Sequence, residues 1–332
     1  MKILKYTAFI LLLLGFVYAI GPKKTYDPVV LNDVEMPTEL ENLEAWLEKK
    51  ETSIQELKPG NEAKIIWAND SLKNKTEYAL VYMHGFSASH EEGAPLHTDI
   101  AKRYGMNLFL ARLEDHGRRD TNSLQNLTPD NFLYSAEEAL KIGHLLGEKV
   151  IVLSCSTGGT LSIILAAEGF DIHSMIMYSP NIDIYDPKSN LLLYPYGEKL
   201  SELVLGGQHN RINYDSTAQK YWNPVYHTNG IFALKTLIKE YMNKDVFQKI
   251  TQPTFVGYYY KNEDEQDKVV SVQRMKEFYS QINTPEDKKR IVNFPASGHH
   301  VISSYVMSKD IDGVRKETYE FIDEVLKIQP IY

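Results

Sequence analysis

Short, unbroken apolar runs alternate along this chain with segments whose apolar residues recur at helical spacing. The runs predict strands over 63–68, 78–83, 107–113, 150–155, 175–179, 253–260 and 290–294. The periodic segments predict helices over 96–104, 131–146, 161–167, 271–281 and 313–328. Gly105 and Gly147 follow two of the helix ends, and Pro129 and Asp130 open a start, as helix punctuation requires. Strands alternating with helices at this spacing build βαβ units. The fold class is therefore α/β, a mostly parallel doubly wound sheet with helices on both faces.

The rhythm breaks over 181–250. That span is dense in aromatics, including Tyr185, Tyr194, Tyr196, Tyr221, Trp222, Tyr226, Phe232 and Tyr241. It leaves the sheet over the strand ends, where ligands of such sheets bind. It is expected to be a cap that closes over a site and lines an apolar pocket, inserted into a core made of 61–180 and 251–332. Upstream, 21–60 reads as a Pro-, Lys- and Glu-rich tether followed by a helix over 38–50, with Leu40, Leu43 and Leu47 on one face. In 1–20, Lys2 and Lys5 precede an apolar run from Ala8 to Ile20, and Val17-Tyr18-Ala19 offers a cleavage site. The run is short against the roughly 20 residues of a membrane span. Export to the periplasm or medium is expected, with an uncleaved membrane anchor as the alternative.

Composition adds exclusions. A net charge of −8 over 332 residues, without a Lys/Arg cluster, argues against nucleic acid as a partner. The single cysteine, Cys155, excludes an internal disulfide framework and a multi-cysteine metal site.

The candidate chemistry begins where the strand over 150–155 meets the next helix. Three adjacent residues, Ser154, Cys155 and Ser156, could sit at that turn. A nucleophile elbow is so tight that bulky residues two before or two after the nucleophile collide. Cys155 would place Leu153 at the first crowded position, and Ser154 would place Val152 there. Ser156 has Ser154 before it and Gly158 after it, both small.

A serine hydroxyl needs a base to take its proton, and the base needs a third group to orient it. In the doubly wound arrangement the order is Ser, then Asp or Glu, then His. After the strand over 253–260 come Glu263, Asp264, Glu265 and Asp267. Asp267 precedes Val269-Val270-Ser271, where the loop turns inward, and Asp264 is the alternative. After the strand over 290–294 comes Gly298-His299-His300-Val301-Ile302. Of the two histidines, His300 leads an apolar pair that would pin it, while His299 follows a glycine. An oxyanion hole would draw one N–H from Thr157 and another from Phe86, in the loop His84-Gly85-Phe86-Ser87. His84 is expected to bond loop backbone.

Over 60–330 the chain resembles the α/β-hydrolase superfamily. The resemblance rests on His84-Gly85-Phe86, Arg112-Leu113 with Asp115-His116-Gly117, Ser154-Cys155-Ser156-Thr157-Gly158-Gly159, Asp267-Lys268-Val269-Val270-Ser271 and Gly298-His299-His300-Val301. It is most similar to the monoacylglycerol lipase, carboxylesterase and serine aminopeptidase group. The resemblance implies a serine hydrolase acting on a small acyl ester or monoacylglycerol-like lipid, with no metal or organic cofactor. It also implies that the Asp115-His116-Gly117 turn shapes the pocket rim. Two other readings stay open. An aminopeptidase would need a carboxylate for the substrate amine, from Glu198, Glu202 or Asp215. A non-catalytic binding protein of this fold would ordinarily have lost a triad member.

Overall fold

The computed structural model describes residues 2–31 and 34–331. Met1, Asn32, Asp33 and Tyr332, within the outer bounds given above, lie outside the described residues. The strands are β1 Lys64–Ile66, β2 Thr76–Met83, β3 Asn107–Leu110, β4 Gly147–Cys155, β5 Ser174–Tyr178, β6 His209–Arg211, β7 Val225–His227, β8 Thr254–Tyr258 and β9 Lys289–Asn293. Seven of them form one sheet in the order β1-β3-β2-β4-β5-β8-β9, with only the β1–β3 pair antiparallel. β6 and β7 pair separately as an antiparallel ribbon.

The helices are α1 Lys2–Ala19, α2 Leu43–Thr52, α3 Leu96–Tyr104, α4 Pro129–Leu146, α5 Thr157–Ala167, α6 Gly197–Leu205, α7 Asn229–Tyr241, α8 Lys244–Phe247, α9 Val272–Gln281 and α10 Ile311–Glu324. Among the described residues no helix is long and apolar enough to cross a membrane. Two apolar clusters flank the sheet. One joins alternate residues of β2 and β4 (Val81, Val152) to α4 and α5, and the other joins their neighbours (Leu80, Ile151) to α3 and α10.

α4 shows why the elements form where they do. Thr128 and Asn131 make a reciprocal capping box, and Pro129 stands in the first turn, where its missing N–H costs nothing. Phe132, Leu133, Ala136 and Leu140 then turn one face to the sheet. Several bounds differ from the sequence expectation. Gly147 does end α4, but in extended backbone that starts β4 at once. The strand expected over 107–113 stops at Leu110, because Arg112 swings to the Glu51 carboxylate and the Leu113 N–H turns to His84. The helix expected over 38–50 is a 3₁₀ turn at Leu40–Asn42 followed by α2.

The span 181–250 has two parts. Up to about Thr228 it holds 3₁₀ turns, α6 and the β6–β7 ribbon. From Asn229 onward, α7 packs on α4 and α5, and α8 on α5 and α9. Its later half thus joins the layer of helices covering the sheet.

Candidate active site

Ser156 stands between β4 and α5 with φ 50° and ψ −114°, a region that side chains other than glycine rarely enter. Such a conformation costs about 1–3 kcal/mol and persists only when its surroundings over-determine it. Here they do. The Ser156 N–H donates to Tyr178 O at 2.9 Å, and Ser156 O accepts from the N–H groups of Asn181 and Gly159, each at 2.9 Å. Two residues on, a Cβ at Gly158 would lie 2.1 Å from Met83 O, so that position has room only for glycine. Ser154 and Cys155 are wholly buried in the strand. Burial, with Glu92 nearby, pushes the Cys155 thiol far above its ordinary range, which leaves it unreactive.

Asp267 and His300 lie 33 residues apart and are joined by a 2.5 Å hydrogen bond from His300 Nδ1 to Asp267 Oδ2. Asp267 is 1% exposed. Its other oxygen accepts the N–H groups of Val269 and Val270 at 2.8 and 3.0 Å, so the inward-turning loop holds the carboxylate still. The His300 backbone is fixed by Ser179 Oγ, which donates to its carbonyl at 2.7 Å. With Nδ1–H given to Asp267, the neutral imidazole carries no proton on Nε2. Burial by itself opposes the His300 cation. The Asp267 charge and hydrogen bond, with Glu92 beyond, outweigh it and hold the pKa above the ordinary imidazole value.

The alternatives from the sequence sit elsewhere. Asp264 is exposed in a turn where Asn262 Oδ1 accepts its N–H. His299 Nδ1 accepts the Val301 N–H at 3.0 Å, and burial with the neighbouring His300 lowers its pKa to about 4. A neutral His299 therefore carries its proton on Nε2.

Thr157 is the first residue of α5 and Phe86 follows Gly85 in the loop after β2. Among the described residues neither N–H is taken up by a protein acceptor. His84 is the loop's brace. The Leu113 N–H donates to its Nε2 at 3.1 Å, so its Nδ1–H donates to Gly85 O at 2.8 Å. His116 stacks on Phe132 and packs edge-on against Phe86. Burial lowers its pKa to about 4, while its Nδ1–H donates to Glu114 O at 2.7 Å. No group of three or more His, Cys, Asp or Glu able to hold a metal occurs among the described residues.

Ser156, Thr157, Phe86 and His300 line one cavity of about 380 Å³, with Trp222, Tyr226 and Leu234 on its apolar wall. The aromatic density of 181–250 serves this cavity only in part. Tyr185, Tyr194 and Tyr196 are exposed, and Phe232 is in the core. Ile212 and Tyr214 line it without having stood out in the sequence. Glu92 was missed as well, because nothing in its neighbourhood marks it until the chain folds. The carboxylates suggested for an amine are engaged elsewhere. Glu198 pairs with Lys24 at 3.1 Å, Glu202 with Lys199 at 3.0 Å, and Asp215 caps the turn at Thr217 and Ala218. A larger groove of about 870 Å³ between α2 and β1 is lined by glutamates and apolar residues alike and holds none of the predicted site residues.

Solved structures with the same chain path include one of the metagenome-derived lipolytic enzymes LipS and LipT (TM-score 0.64, 16% identity, 80% of this chain and 98% of that one). A soluble variant of monoglyceride lipase from Saccharomyces cerevisiae is similar at TM-score 0.61 and 13% identity, covering 79% and 91%. The monoacylglycerol lipase of Paleococcus ferrophilus follows at TM-score 0.55 and 13% identity, covering 78% and 97%. No family model and no curated protein sequence matches the chain. The chain has the α/β-hydrolase fold. Its strained elbow, buried Asp–His pair and brace of loop N–H groups meet at one end of that sheet.

Proposed function

We propose that this protein is a serine hydrolase that cleaves carboxylic esters through an acyl-enzyme. The reading is carried by one observation: a buried carboxylate orients the imidazole of His300, which lines the same cavity as the strained Ser156. Ser156 Oγ attacks the ester carbonyl carbon while His300 Nε2 takes its proton. The carbonyl oxygen gains negative charge beside the N–H groups of Phe86 and Thr157, the latter also at the positive end of α5. The C–O bond then breaks and the imidazolium hands its proton to the leaving alkoxide. Water repeats the sequence on the acyl-enzyme and regenerates Ser156.

A cavity of about 380 Å³ walled by Trp222, Tyr226 and Leu234 supports a small acyl ester or a monoacylglycerol-like lipid. The engagement of Glu198, Glu202 and Asp215 disfavours an aminopeptidase. A panel of p-nitrophenyl esters of rising chain length, run beside aminoacyl-naphthylamides, tests this directly. Ester turnover should peak at short or medium chains; turnover of the amides alone would overturn the reading.

For 1–20 the proposal is an export signal or an uncleaved anchor. Cell fractionation should find the full chain outside the cytoplasm or on membranes, and a chain lacking 1–20 in the cytosol. An unchanged distribution would refute it.

A further inference from the structure

One carboxylate lines the Ser156 cavity without belonging to the Asp267–His300 pair. It is that of Glu92, in the 3₁₀ turn His90–Gly93, and the residue is only 2% exposed. Its backbone is tied on both sides: the N–H donates to Ser89 O, and the carbonyl accepts from Ser303 Oγ, each at 3.0 Å. The side chain folds back beneath the oxyanion loop. Oε2 accepts the Gly85 N–H at 2.5 Å and the Tyr82 hydroxyl at 3.3 Å. A Cβ on Gly85 would lie 2.8 Å from Glu92 Oε1 and 3.1 Å from Ser156 Cβ, so carboxylate, loop and nucleophile meet at one point.

Among the described residues no lysine or arginine lines the cavity to balance this carboxyl. Burial raises its pKa above the usual carboxylate range, while the Gly85 N–H, the His300 cation and the Tyr82 hydroxyl favour its charged form. The groups facing it are Tyr82 of β2, Cys155 of β4, Tyr214 of the insertion and His300 of the loop after β9. His97 of α3 stands behind the Tyr82 ring, 5.1 Å between centroids. Burial lowers the pKa of His97 to about 4 and raises those of Tyr82 and Cys155, so these stay neutral near pH 7. Of the groups facing it, His300 is the one able to become a cation there.

We propose that Glu92 is a positioning residue of this site, clamping the Gly85 N–H so that the Phe86 N–H is aimed, and placing a second negative charge near His300. The inference rests on the reading of Ser156 as nucleophile. His84 braces the next peptide, the one that carries the Phe86 N–H, from its carbonyl side, so Gly85 is held at both its N–H and its C=O. The charge acts with two signs during turnover: it favours the imidazolium and opposes the oxyanion. In the free enzyme no oxyanion exists, and the acid limb of a kcat/KM-type profile reports the imidazolium alone.

The test is the second-order rate at which an alkyl fluorophosphonate labels the full-length protein, followed against pH, with the labelled residue found by mass spectrometry. E92Q keeps an oxygen to accept the Gly85 N–H but loses the charge. Its plateau rate should stay close to that of the unsubstituted protein, while its acid limb moves to lower pH by about one unit. E92A also loses the clamp and should fall about 10²-fold at the plateau, in line with loss of an oxyanion donor. If E92A does not fold, E92Q alone decides the matter. An E92Q limb that stays in place overturns the inference, even with a uniform fall in rate or a lower melting temperature, since those mark a merely structural role. If the unsubstituted protein is not labelled at Ser156, the hydrolase reading itself falls, and that outcome is distinct from the others.

Discussion

Replacing Ser156 with alanine should abolish covalent capture by a fluorophosphonate and lower ester turnover by about 10⁴-fold or more, with the fold unchanged. The reasoning is local. Alanine keeps the Cβ and the backbone hydrogen bonds to Tyr178, Asn181 and Gly159, so the strained φ of 50° is held as before. Only Oγ is lost. Cys155 and Ser154 cannot stand in for it, because both are fully buried within β4. Undiminished labelling of Ser156→Ala, at any residue, would refute the assignment of the nucleophile.

His300→Ala should likewise abolish labelling, while His299→Ala should leave most of it. His300 is the histidine whose Nδ1–H is held by Asp267, whereas His299 bonds only its own loop and stays neutral down to about pH 4. The pH dependence follows from the same geometry. Catalysis needs neutral His300, and its carboxylate neighbours raise its pKa, so activity should be low in acid and rise as pH climbs through that raised value. The acid limb should therefore lie above the roughly 6.5 of a free imidazole. A limb below that value, or loss of labelling in His299→Ala with retention in His300→Ala, would reverse the choice of base.

Much of this site is legible in the order of residues along the chain. The expected elbow register rests on bulk at two neighbouring positions, and the partner that crowds Gly158, Met83 O, comes from β2 only in the folded sheet. The βαβ rhythm likewise places the candidate acid and base loops just after late strands, and that is where β8 and β9 deliver them. Less legible were the ends of elements. The last helix, expected over 313–328, spans Ile311–Glu324. The chain turns at Lys327, with φ 59°, and the Ile328 N–H closes on Ile322 O at 3.2 Å. No glycine marks that stop. Aromatic density and its place over the strand ends suggest one cap over 181–250; from Asn229 onward the chain packs on α4 and α5, through the apolar face of α7.

What the sequence by itself determined is the part governed by near neighbours: apolar runs that must be strands, a helix start opened by Pro129 and Asp130, and a turn at Ser156 that admits only small flanks. Sterics and hydrogen bonding over a few residues suffice for these. The rest depends on atoms that become neighbours only when the sheet is built. Asp267 rather than Asp264 meets His300 because Val269 and Val270 hold its carboxylate inward. Trp222 rather than Tyr194 walls the cavity because the next residue, Asn223, donates its N–H to Ser87 O at 2.8 Å, which seats that segment beside the loop after β2. Glu92, one of two adjacent glutamates with no motif around it, reaches Gly85 only when its turn folds beneath the loop. Burying a carboxyl group is costly unless partners await it, and those partners are supplied by the tertiary structure alone.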